Sequence, residues 1–138
     1  MLTPRSLLSG ETRDGQATKA FLIRVAAGLV FVAFSFGKFV RHAEEASAFD
    51  RYGLPWPSLF TYAIGVTELV CGVLLVLGIA PRLVALVLAG NMVGAISTAG
   101  RIDGGPIHLG LAPLLLVGML FLLWAGPGRR PVRGATTI

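Results

Sequence analysis

Four long apolar runs leave this chain few folds to choose from. They cover residues 20–40, 57–80, 83–100 and 107–125, with charges gathered mainly in the stretches between them. A helix needs about 20 apolar residues, and not fewer than about 17, to cross a hydrocarbon layer about 30 Å thick. The first two runs meet that length, and the other two lie near its lower limit. None shows the period-two alternation of a barrel strand, so helices are expected. Composition points the same way. Hydrophobic residues make up 54% of the 138 and charged residues 14%, against about 25% charged in a soluble domain. Twelve Lys and Arg with seven Asp and Glu are too few for a polar skin, and lipid removes the need for one. The expected fold class is all-α: a transmembrane four-helix antiparallel bundle.

The second run has to insert despite holding Glu68. Its twelve Leu, Ile, Val and Phe residues each favour insertion by about 0.3–0.6 kcal/mol near the centre, against about 2.5–3.5 kcal/mol for one acid. Insertion wins. The connections suit antiparallel neighbours. Gly78-Ile79-Ala80-Pro81-Arg82 is tight enough for a helical hairpin, and residues 101–106 form a turn. Between the first two spans, Ala43, Ala46 and Phe49 alternate with Glu44, Glu45 and Asp50, which predicts a short helix at the interface.

Residues 1–19 are expected to be a cytoplasmic tail rather than a secretory signal, because the first apolar run starts late and is long for one. Residues 126–138 form a basic cytoplasmic tail. Lys and Arg bias sets the orientation: Arg5, Arg13, Lys19, Arg82, Arg129, Arg130 and Arg133 on one side outnumber Lys38, Arg41, Arg51 and Arg101 on the other. Both termini are therefore expected inside, in a bacterial cytoplasmic membrane. The same topology accounts for the net charge of +5, so nucleic acid is not an expected partner. Cys71 is the only cysteine, which excludes an internal disulfide or a dithiol pair.

Ionisable groups inside a span are expensive and face protein or water. Glu68 lies near the midplane, and Thr61, Gly65, Glu68 and Gly72 share one helical face of small residues. On the first span Arg24, Gly28, Phe31, Ser35 and Lys38 share a face with a base at each end. Arg24 either snorkels outward or reaches toward Glu68 across about 10 Å of depth, and Lys38 faces a larger gap. Asn91 falls at a depth similar to Glu68, and Gly90 and Gly94 have the spacing that permits tight helix contact. His108 opens the fourth span level with Lys38, and Pro113 deprives the carbonyl of Leu109 of its usual donor. Each residue also has a structural reading: Glu68 as an ion pair fixing register, Arg24 and Lys38 as interfacial anchors, Asn91 as interhelical glue, and the glycines as packing. His42 and His108 as haem ligands are a remote reading.

Leu22-Ile23-Arg24, Gly28-Leu29, Phe31, Phe34 and Gly37-Lys38 are followed by Tyr52-Gly53-Leu54-Pro55, Glu68-Leu69, Gly72, Leu77-Gly78 and Pro81-Arg82-Leu83. In this order and spacing they resemble the DoxX family of small bacterial four-helix membrane proteins, over about residues 19–127. The resemblance implies membrane redox chemistry, including subunits of thiosulfate–quinone oxidoreductases and complexes that counter oxidative or thiol stress. The matching positions are Arg24, Lys38, Glu68 and Arg82. Asn91 and His108 rest on the residue reading alone. No metal site, flavin motif or thiol pair is evident in the sequence. No intrinsic cofactor is therefore expected, and electrons would pass through a quinone or a partner.

The expectation is a subunit or accessory component of a membrane redox complex, whether or not itself catalytic. Glu68 is its candidate proton relay, and Arg24, Lys38, Asn91, His108 and Arg82 are candidates to line a polar cavity. Lipid, partner subunits or further copies of the chain are the expected partners. The alternatives are a non-catalytic scaffold that recruits partners and, less favoured, a carrier of small solutes or lipids.

Overall fold

The computed structural model describes residues 15–126 and 128, with Ile107 described through its backbone alone. Arg5, Arg13, Arg129, Arg130 and Arg133, on which much of the expected orientation rests, lie outside the described residues, as do most of the two expected tails.

Helix α1 runs Ala17–Val40, α2 His42–Arg51, α3 Pro57–Leu77, α4 Pro81–Ala95 and α5 Ala112–Ala125. A π-type turn, Ile96–Gly100, extends α4, and another, Ile107–Leu111, leads into α5. No strand occurs among the described residues. Ala17–Val40, Pro57–Leu77, Pro81–Gly100 and His108–Ala125 are long and apolar enough to cross a bilayer. The protein is an all-α, multi-pass membrane protein, with the short α2 between its first two spans.

Local chemistry sets the helix ends. Helix α3 stops at Leu77, three residues before its apolar run does, because Gly78 adopts a left-handed φ of 76° and donates its N–H back to the last turn. Pro81 then opens α4, two residues earlier than the apolar run, because its missing N–H is harmless in a first turn. The second π-type turn falls where Pro113 withholds an N–H from the carbonyl of Leu109. A π turn allows a carbonyl to pair five residues on instead of four.

The spans form a ring in the order α1, α3, α4, α5, with α1 packed most extensively on α3 and α4 on α5. The α3/α4 and α5/α1 seams are looser. Phe31, Leu75, Leu88, Met119 and Leu122 fill the centre. Leu22, Leu29, Val70, Val87, Leu114 and Val117 point outward, as suits a lipid-facing surface.

Two pairs of glycines behave in opposite ways. A Cβ on Gly28 would stand 2.8 Å from the carbonyl oxygen of Gly72, and one on Gly72 would stand 2.9 Å from that of Gly28. The α1 and α3 backbones therefore touch, as small residues permit. At Gly90 and Gly94 a Cβ would meet nothing within 4 Å, so the tight contact expected there is not made. Helix α4 packs through Val84, Ala85, Leu88, Ala89 and Met92, a face that excludes both glycines.

Gly72→Leu is expected to lower thermal stability in detergent by an amount equivalent to about 1–3 kcal/mol, typical of overpacking. Gly90→Ala should leave the midpoint near wild type. Equal midpoints for Gly72→Leu and wild type would contradict the backbone contact.

Candidate functional site

The face formed by Thr61, Gly65, Glu68 and Gly72 is buried along its whole length, and Arg24, Gly28, Phe31 and Ser35 of α1 are buried against the bundle. Glu68 is 5% exposed. The Asn91 amide nitrogen donates to its Oε1 at 2.9 Å, and the Lys38 ammonium lies 3.0 Å from its Oε2. That second contact is a buried ion pair, so each carboxylate oxygen of Glu68 meets a partner from a neighbouring helix.

Lys38 reaches Glu68 and Arg24 does not because of the direction in which helical side chains lean. Each leans toward the N-terminus of its own helix. Helices α1 and α3 are antiparallel, so Lys38 leans from the α2 end toward mid-depth while Glu68 leans from mid-depth toward Pro57. Their paths converge. The Cβ of Lys38 packs level with Gly65, 3.1 Å from where a Cβ on that glycine would stand, one turn from Glu68. Arg24 leans the opposite way. Its Nη1 donates to the carbonyls of Leu75 at 2.9 Å and Val76 at 3.0 Å, and its guanidinium lies 5.3 Å from the centre of the Phe21 ring.

Arg24 is therefore a fully buried cap on the C-terminal turn of α3, where unpaired carbonyls and the helix dipole favour a cation. Arg82 does the same at the end of α5, its Nε donating to the carbonyl of Leu123 at 3.2 Å. Neither lines the cavity beside Glu68.

The other candidates come together. A cavity of about 590 Å³ is lined by Lys38, Glu68, Asn91 and His108 among others, with Phe34, Phe60 and Ile64 on its apolar side. A smaller space of about 100 Å³ shares Lys38, Glu68 and His108 and continues toward Phe31 and Met92. His108 lies in the π-type turn, with Nδ1 3.3 Å from the carbonyl oxygen of Gly104. Among the described residues, no three His, Cys, Asp or Glu side chains are placed to hold a metal ion.

Helix α2 roofs the larger cavity with Glu44, Glu45, Ala48 and Phe49. Its start is fixed by His42, which shares a hydrogen bond of 2.8 Å with Ser58 and stacks on Tyr62 at 3.8 Å. Its end is fixed by Asp103, which accepts from Arg51 at 2.9 Å and from the Tyr52 hydroxyl at 2.5 Å. These bonds hold the Asp103 carboxyl below its usual range, the Tyr52 hydroxyl contributing most. Burial first, and then the bond to Asp103, push the Tyr52 phenol up to about 12. Nothing local in the sequence signals these bonds, whose partners lie about fifty positions apart.

The DoxX family model matches residues 20–101. The chain belongs to the DoxX family. It is 36% identical over 121 residues to an uncharacterized membrane protein of Mycobacterium tuberculosis, Rv3486, covering 78% of this chain and 74% of that one. It is also 36% identical over 77 residues to CatD of Bacillus subtilis, whose name proposes an oxidoreductase, covering 56% of each. No solved structure matches at a significant level. The DoxX match takes in Arg24, Lys38, Glu68, Arg82 and Asn91, while His108 lies beyond it.

Lys38→Met should destabilise the fold by about 3–5 kcal/mol, because it strands a buried carboxylate. Glu68→Gln in the same chain should restore most of that loss in a denaturation series. No recovery in the double variant would contradict a direct pair.

Spectrophotometric titration tests the bonds at Asp103. A depressed Asp103 stabilises the roof fully above the ordinary aspartate value near 4, and that share is lost as pH falls through its lower folded value. A raised Tyr52 stabilises it fully below about 10, and that share is lost as pH climbs through about 12. The contact should therefore hold across the interval between. Asp103→Asn should move one phenolate transition down from about 12, though short of 10, since burial is the larger cause. An unmoved transition would remove the bond from the account.

Proposed function

We propose that this protein is a membrane subunit of a redox complex and that its Lys38–Glu68–Asn91 centre receives a quinone headgroup and handles the accompanying protons. The observation that carries the reading is the buried Lys38–Glu68–Asn91 cluster, whose lysine and glutamate line both cavities. A volume of about 590 Å³ falls within the usual range of about 300–1,000 Å³ for small-molecule sites. The name of CatD, a relative over part of the chain, supports redox chemistry in the same direction.

A bound quinone takes up two electrons, from a partner carrying a redox centre, together with two protons. The chain's own residues supply order and protons. Asn91 fixes Oε1 and so orients the carboxylate. Glu68 is the proton-carrying group, and Lys38, 3.0 Å from its Oε2, balances its charge. Glu44, Glu45 and Asp103 at the roof connect that pair to water beyond the membrane. His108, on the wall of both spaces, offers a second proton-carrying group.

The bacterial relatives favour a cytoplasmic membrane, and the Lys and Arg count favours both chain ends in the cytoplasm. On that orientation the α2 roof faces outward, and protons enter the site from the outer side.

Glu68→Gln tests the reading in the native complex, since glutamine keeps the acceptor for Asn91 but carries no proton to transfer. Quinone-linked electron transfer should fall by about a hundredfold, the lower end of what a positioned acid–base group contributes, while the complex still co-purifies. Unchanged turnover in a complex that needs this subunit would reject the relay.

A further inference from the structure

Gly90 and Gly94 line the larger cavity, yet both are exposed, and each has open space where a side chain would stand. They lie nine and thirteen residues after Pro81, which places them about 14 and 20 Å along α4 at 1.5 Å per residue. Glu68 lies nine residues before Leu77, about 14 Å from the same end of the bundle. The gap therefore stands level with the buried acid, in the hydrocarbon layer and not at the water boundary. Phe60 and Ile64 of α3 form the facing wall, and α3 and α4 meet along one of the two looser seams. A second, independent feature lies at the inner end: the buried polar cluster of Lys38, Glu68 and Asn91, which lines the same cavity.

We infer that the cavity opens sideways into the bilayer between α3 and α4, through a doorway kept clear by Gly90 and Gly94. Its ligand is then a membrane-dissolved amphiphile, with a compact polar head at Lys38, Glu68 and Asn91 and a long apolar tail lying in the doorway between Phe60, Ile64 and α4. This rests on the quinone reading above and narrows it to tailed quinones that never leave the membrane. It also accounts for the apolar lining at Phe60 and Ile64 on the seam side of a cavity whose inner end and α2 roof carry charge. A water-soluble ligand would have no use for an opening at mid-depth.

The test uses the full chain in nanodiscs with two probes, a decyl-tailed benzoquinone and the same ring without its tail. Wild type should bind the tailed probe at least tenfold more tightly than the bare ring. Gly94→Leu, or Gly90→Leu one turn away, should weaken the tailed probe tenfold or more and leave the bare ring unchanged. Neither leucine meets a neighbour within 4 Å at its Cβ, so both variants should fold. Val93→Leu, at an exposed position outside the cavity lining, should change nothing. Tailed-probe binding that survives both glycine variants, or a loss shared equally by the two probes, would overturn the doorway and leave the quinone reading standing. Failure of wild type to bind either probe would overturn the quinone reading and the doorway with it.

Discussion

A carboxylate at the middle of a bilayer has to be compensated from inside the protein, and this bundle is arranged around doing so. The energetic demand is large, because neither water nor lipid can stabilise the charge there. Lys38 and Asn91 answer it from two different helices, so the position of Glu68 ties α1, α3 and α4 together. The close approach of α1 and α3 at Gly28 and Gly72 sets the height at which lysine and acid meet. If those backbones were held further apart, Lys38 would have to extend across a wider gap.

The basic residues divide into two functions according to where their stems point. Lys38 turns inward and neutralises an acid. Arg24 and Arg82 turn toward the face that carries the chain ends and close the C-terminal turns of α3 and α5. Both arginines thus serve helix ends, where the last carbonyls lack partners. A count of positive charges by side treats Arg82 as a topological signal. In the fold it also joins one hairpin, since α4 and α5 are linked by its bond.

Much of the helix arrangement was legible in the residues. The i, i+4, i+7, i+11 spacing from Thr61 to Gly72 marked the buried face of α3, and counting 1.5 Å per residue put Asn91 at the depth of Glu68, where it is found. The same counting failed for Arg24 and Lys38, because it takes side chains as perpendicular to the axis. Lean adds reach to one and subtracts it from the other. Gly90 and Gly94 misled for a different reason: small residues four apart permit contact but also permit a void, and only the facing helix decides. The bonds joining Arg51 and Tyr52 to Asp103 could not be foreseen, since they link two connecting segments whose meeting depends on the whole ring having closed.

The chain reversal at Gly78-Ile79-Ala80 has a mechanical consequence. It joins α3 to α4 by the shortest connection between two spans, at the end remote from α2. Asp103 grips the end of α2 across the opposite rim. The two well-packed pairs, α1 with α3 and α4 with α5, are thus hinged at one rim and clasped at the other, like the boards of a book. Any swing of one board against the other has to pivot at that short spine, and two carboxylates, Asp103 at the rim and Glu68 at mid-depth, hold it shut.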